Sequence, residues 1–269
     1  MASVSVQTLP RSRRRAPGPR ADDLFIWREA LWGLDWLSLR LSPVYKGIGV
    51  PHGDGEAVVL VPGFLTTDAY LVEMYFWLRR IGYKPYVSGI GLNAGCMDSL
   101  SGELEKTVEK AYEETGKPVR LIGHSLGGFL ARMVATRRPD IVSQLISLGS
   151  PIRALDAHPA LMAAAGVIRK RAVHRSNRQN GTHPRSARDS GCGCRSDGEI
   201  PTPAPSVRRA ALYSDRDGVI DWRNCQEAGS HPSYEVGGTH IGLVFNAKAY
   251  RIVAELLAEA AEETDSLAA

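Results

Sequence analysis

Val119-Arg120-Leu121-Ile122-Gly123-His124-Ser125-Leu126-Gly127-Gly128 is the stretch on which the reading of this chain turns. Val119–Gly123 has the apolar content of a short buried strand, and Leu126–Arg138 has the composition of a helix that stops before Pro139. Between them lies G-x-S-x-G. Alone, that pattern is a weak signal in a chain with 27 glycines. The strand before it and the helix after it give it weight, because a sharp strand-to-helix turn is the setting that exposes a serine oxygen. Flanking glycines let such a turn pack closely, and the helix start aims its amides and dipole at the serine.

Outward from this point the chain alternates. Ala57–Val61 is a continuous apolar run ending at Pro62-Gly63, as expected of a strand buried on both faces. Ala69–Arg80 has helical spacing, Pro85–Ile90 reads as a strand, and Glu103–Thr115 reads as a helix closed by Gly116 and Pro118. Ile141–Leu148 is a further strand. Strand and helix at this spacing predict an α/β fold, a mostly parallel central sheet with helices on both faces. The rhythm breaks over residues 152–206, where a helix-like His158–Lys170 precedes a Gly-, Arg- and Ser-rich segment, so a cap or lid insertion is expected there. It resumes with strands at Val207–Tyr213 and Tyr234–Val236 and an amphipathic helix around Ala247–Ala261.

Before the first strand, residues 1–21 read as a disordered basic tail. Residues 22–56 read as an apolar helix carrying Trp27, Leu31, Leu34, Trp36 and Leu37, followed by a linker. Residues 57–269 are then the main domain. At 269 residues, 43% hydrophobic and 23% charged, the chain has ordinary globular proportions. The formal charge of +4 is concentrated in Arg11–Arg20 and in Arg169–Arg188. No stacking aromatics accompany these blocks, so they read as solvated segments and no nucleic-acid partner is expected. No run approaches the roughly 18 apolar residues of a membrane span, and no apolar stretch follows the first arginines as in a signal peptide. A cytoplasmic location is therefore expected, with peripheral membrane contact through the 22–41 helix or the cap as the remaining option.

Cys96, Cys192, Cys194 and Cys225 permit two disulfides without fixing a pairing. Cys192, Cys194, Cys225 and His231 can be imagined as a metal site, but C-x-C is not the usual zinc spacing. No metal is expected.

A serine hydroxyl is a weak nucleophile and needs a base and an orienting acid. In strand–turn–helix serine enzymes the order along the chain is Ser, then acid, then His. After Val207–Tyr213 comes Ser214-Asp215-Arg216-Asp217-Gly218, where Asp217 is the preferred acid, with Asp215 and then Asp221 as alternatives. The stretch after Tyr234–Val236 is Gly237-Gly238-Thr239-His240, which makes His240 the expected base and His231, before that strand, the alternative. The oxyanion donors are expected to be the amide of Leu126, which follows the nucleophile, and that of Phe64, after Pro62-Gly63.

The Val59-Leu60-Val61-Pro62-Gly63-Phe64 stretch, the Gly-His-Ser-Leu-Gly-Gly turn, Tyr213–Trp222 and Gly238-Thr239-His240 together resemble bacterial lipase/esterase-like α/β-hydrolases. The similarity covers about residues 57–262, apart from the segment after Arg153. It implies a Ser125–Asp217–His240 triad, hydrolysis of a small-molecule or lipid carboxylic ester through an acyl-enzyme, and no cofactor. Pro62 departs from the family's common pattern, which has a histidine before the oxyanion glycine; backbone donors carry that role, so activity is still implied. Thioesterases and acyltransferases share the same machinery, and a non-catalytic binding protein of the same fold is the competing expectation.

Overall fold

The computed structural model describes residues 26–153, 157–158, 163 and 200–268. The tail 1–21, most of the expected cap helix His158–Lys170 and the Gly- and Arg-rich segment after it lie outside the described residues.

The strands are β1 (Ala57–Val61), β2 (Lys84–Val87), β3 (Val119–His124), β4 (Val142–Leu148), β5 (Arg208–Tyr213) and β6 (Ser233–Glu235). They form one sheet in the order β2-β1-β3-β4-β5-β6, and every neighbouring pair is parallel. The helices are α1 (Trp32–Leu41), α2 (Val72–Arg80), α3 (Met97–Thr115), α4 (Leu126–Arg137) and α5 (Ala247–Ala268).

Period-two alternation along the strands splits the core in two. Val58, Leu60, Ile122, Ile146 and Leu148 join Leu39 of α1, Met74, Trp77 and Leu78 of α2, and Tyr250 and Leu257 of α5. Ala57, Val59, Val61, Leu121 and Leu145 point the other way, onto Leu104 and Val108 of α3 and Leu130 and Val134 of α4. Both faces are therefore covered, which is why β1 and β3 read as unbroken apolar runs.

Several element ends differ from the sequence expectation. The α3 helix starts at Met97 rather than Glu103, because buried Leu100 extends the stripe of Leu104, Val108 and Ala111. That burial outweighs the roughly 1 kcal/mol cost of Gly102 inside a helix. Asp68–Leu71 is a 3₁₀ turn ahead of α2. Strand β2 ends at Val87, because Ser88 turns away to bond Asp68 through its amide (3.0 Å) and its hydroxyl (2.5 Å). Its Pro85 is tolerated because β2 is an edge strand.

The segment before β1 is tied to the body. Tyr45, Trp36 and Arg40 all donate to the buried Glu73 of α2, and Trp77 Nε1 donates to Val44 O at 2.9 Å. Cys96 is disulfide-bonded, whereas Cys225 is free and buried. Among the described residues no helix is long and apolar enough to cross a membrane.

Candidate active site

The strand order reverses between β1 and β3, and in open parallel sheets the carboxyl edge at such a point is where ligands bind. Ser125 follows β3 at that edge. Its backbone sits at φ 52°, ψ −127°, a conformation that costs a non-glycine residue about 1–3 kcal/mol. Close packing holds it there. A Cβ on Gly127 would lie 2.3 Å from Val61 O, and one on Gly123 would lie 2.4 Å from the Cα of Gly128. Only glycine lets α4 start this close to the ends of β1 and β3.

Asp217 and His240 come to the same edge from the loops after β5 and β6. His240 Nδ1 donates to Asp217 Oδ2 at 2.6 Å, and both side chains are buried. The other carboxylate oxygen, Oδ1, accepts from the amides of Val219 and Ile220, each at 2.8 Å. The acid is thereby aimed before the histidine reaches it. Asp215 is exposed, and Asp221 caps the 3₁₀ turn Trp222–Cys225. His231 precedes β6, at the opposite edge of the sheet, against Arg209. The structure thus brings together the preferred acid and base and leaves their alternatives elsewhere.

Burial works against protonation of His240, but the charge and hydrogen bond of Asp217, helped by Glu29, more than offset it and raise its pKa above the usual value. His124 behaves oppositely. Burial and the neighbouring His240 push it down to about 3, so it is a neutral imidazole. Its Nε2 donates to His240 O at 3.0 Å, and the two rings lie 4.9 Å apart. Among the described residues His240 makes no hydrogen bond to Ser125; in resting enzymes that contact is often long and tightens when substrate binds.

Phe64 follows Gly63 at the end of β1, and a Cβ on Gly63 would sit 3.2 Å from Ser125 Cβ. The Phe64 loop therefore passes directly beside the serine. Buried Asn93 holds this loop: its Nδ2 donates to Pro62 O at 2.8 Å, its carbonyl accepts from Leu65 N at 2.9 Å, and its amide donates to Thr66 O at 3.0 Å. Leu126 opens α4 on the other side of Ser125. Nothing in the sequence marks the clamping roles of Asn93 and His124. Asn93 sits in an ordinary turn sequence, and His124 occupies a variable position of the motif.

No group of three or more His, Cys, Asp or Glu side chains able to hold a metal ion occurs among the described residues.

The class follows from the fold and from comparison with known proteins. A family model described as alpha/beta hydrolase fold matches residues 90–186. The chain is 30% identical over 132 residues to the triacylglycerol lipase of Burkholderia plantarii, covering 46% of this chain and 37% of that protein. It is 36% identical over 98 residues to the triacylglycerol lipase of Vibrio cholerae serotype O1, covering 34% and 31%. These matches span about a third of the length of the curated relatives. The mature form of Bacillus licheniformis lipase BlEst2 superposes with a TM-score of 0.54 at 14% identity, over 78% of this chain and 95% of that one. The chain has the α/β-hydrolase fold. Within that fold it resembles bacterial lipases and esterases.

Proposed function

We propose that the protein hydrolyses carboxylic esters, with Ser125 as nucleophile, His240 as general base and acid, and Asp217 as the group that orients the imidazole. The observation that carries this is the buried 2.6 Å His240–Asp217 pair at the same sheet edge as a serine held at φ 52°. Asp217 fixes the tautomer with hydrogen on Nδ1, which leaves the Nε2 lone pair free to take the serine proton.

Ser125 Oγ forms a bond to the ester carbonyl carbon as its proton passes to His240 Nε2. The carbonyl electrons move onto oxygen, where the Phe64 and Leu126 amides stabilise the charge. The intermediate collapses, the C–O bond to the alcohol breaks, and His240 returns its proton to the departing oxygen. Water then attacks the acyl-enzyme with His240 again acting as base, which releases the acid and restores Ser125.

Likeness to triacylglycerol lipases favours an acylglycerol-like substrate. Exposed Trp32, Leu34, Leu37 and Leu41 on α1 support delivery of that substrate from a lipid surface.

A fluorophosphonate probe tests the class: it should label the wild type and not Ser125→Ala, and an unlabelled, folded wild type overturns the proposal in favour of a binding protein. A chain-length series of p-nitrophenyl esters then separates lipase from esterase. Preference for long chains, with a rate jump once the substrate aggregates, is the lipase outcome.

A further inference from the structure

One carboxylate from far upstream receives three backbone amides of the loops that hold Asp217 and His240. Glu29 lies in the 3₁₀ helix Ile26–Leu31 and is 5% exposed. Its Oε1 accepts from Gly218 N at 3.0 Å and from His240 N at 2.9 Å, and its Oε2 accepts from Ile241 N at 2.7 Å. The partners are 189, 211 and 212 residues away along the chain.

A carboxylate removed from water is costly unless charged hydrogen bonds replace its hydration. Here the replacements are amides next to Asp217 and at His240 itself. The Glu29 bond to Gly218 fixes the turn that aims Asp217. The bonds to His240 and Ile241 fix the backbone from which the imidazole projects. On the other side of His240, its carbonyl accepts from His124.

We propose that Glu29 is a positioning residue: it staples the acid loop to the base loop and so sets the separation and orientation of Asp217 and His240. The inference rests on the hydrolase reading and deepens it. Glu29 touches none of the reacting atoms. Its charge acts on His240 together with Asp217 from the loop after β5 and the neutral His124 from β3. Asp35 of α1 adds a further acid beside Thr239 and Gly242, and the Tyr70 hydroxyl, which donates to Ile241 O at 2.8 Å, completes the surroundings.

The test uses the full chain as wild type, Glu29→Gln and Glu29→Ala. Its two readouts are kcat and KM on a p-nitrophenyl ester and the pH titration of the His240 ring nitrogens by NMR, which needs no turnover. Glu29→Gln keeps one acceptor oxygen for the Gly218 and His240 amides but loses the charge and the bond from Ile241 N, so the His240 midpoint should fall while kcat above that midpoint drops by less than about tenfold. Glu29→Ala should lower kcat by about 100-fold with KM within about threefold, the signature of misplaced groups rather than weakened substrate binding. An unchanged His240 midpoint in Glu29→Gln, or a kcat within twofold of wild type in a folded Glu29→Ala, overturns the proposal. If Glu29→Ala does not fold, Glu29→Gln decides by its midpoint. If wild type neither turns over ester nor takes the fluorophosphonate, the hydrolase reading fails, and the His240 titration still decides whether Glu29 acts on that histidine.

Discussion

His240 Nδ1 donates to Asp217 Oδ2 across 2.6 Å, while Asp217 Oδ1 is occupied by the amides of Val219 and Ile220. One oxygen serves the imidazole and the other serves the loop, so the carboxylate cannot rotate without breaking two further bonds. Asp217→Asn should therefore leave the protein folded and lower kcat by about 10³–10⁴-fold, since an amide favours the wrong imidazole tautomer. Asp215→Asn, at an exposed position, should stay within about twofold of wild type. Steady-state ester hydrolysis, with circular dichroism to confirm folding, checks both.

The two buried histidines give opposite pH signatures. His240 must be neutral to accept the serine proton, and its pKa is raised, so the acid limb of kcat/KM should have its midpoint above the ordinary 6.5. A raised folded pKa contributes stability that is complete below the unfolded value and is lost as pH rises through the folded value. His124 is held down to about 3, so between about 6.5 and about 3 the unfolded chain binds the extra proton and stability falls as pH falls. Urea unfolding from pH 7 to pH 4 should show a loss that His124→Leu makes shallower. An acid limb centred below 6.5, or an unchanged slope in His124→Leu, contradicts these assignments.

The strained turn implies a trade of stability for chemistry. Ser125→Gly removes the nucleophile and relieves the φ of 52°, so it should abolish ester hydrolysis while stabilising the fold by about 1 kcal/mol. Ser125→Ala abolishes hydrolysis without that gain. Urea melts of the three proteins measure the difference.

Two glycine-to-alanine changes on helices should have opposite signs. Gly127→Ala drives a Cβ to 2.3 Å from Val61 O, which is backbone and cannot swing aside. It should cost about 1–3 kcal/mol or more and reduce activity by displacing the Phe64 loop. Gly102→Ala on α3 meets nothing within 4 Å and should stabilise by about 0.5–1 kcal/mol. Thermal or urea midpoints decide, with hydrolysis unaffected by the second change.

Much of the fold is legible in the sequence. Buried parallel strands announce themselves as short apolar runs, and β1 and β3 have nearly the bounds their composition implies. Helix ends were less legible. The α3 start depends on what Leu100 packs against, and the end of β2 depends on Asp68 capturing Ser88.

What the sequence by itself determined is the local chemistry: a strand, a glycine-bounded serine turn and a helix, with an acid and a histidine following in order. Those signals are carried by neighbours along the chain, where backbone geometry couples adjacent residues directly. Which acid and which histidine meet was decided only by the tertiary structure. Asp217 is buried in a turn while Asp215 faces solvent, and His240 lies at the carboxyl edge of the sheet while His231 lies at the other. The clamps by Glu29, Asn93 and His124 are likewise tertiary. Each joins a side chain to backbone amides or carbonyls that every residue type possesses, so no sequence pattern marks the partner, and only folding brings the two within hydrogen-bond reach.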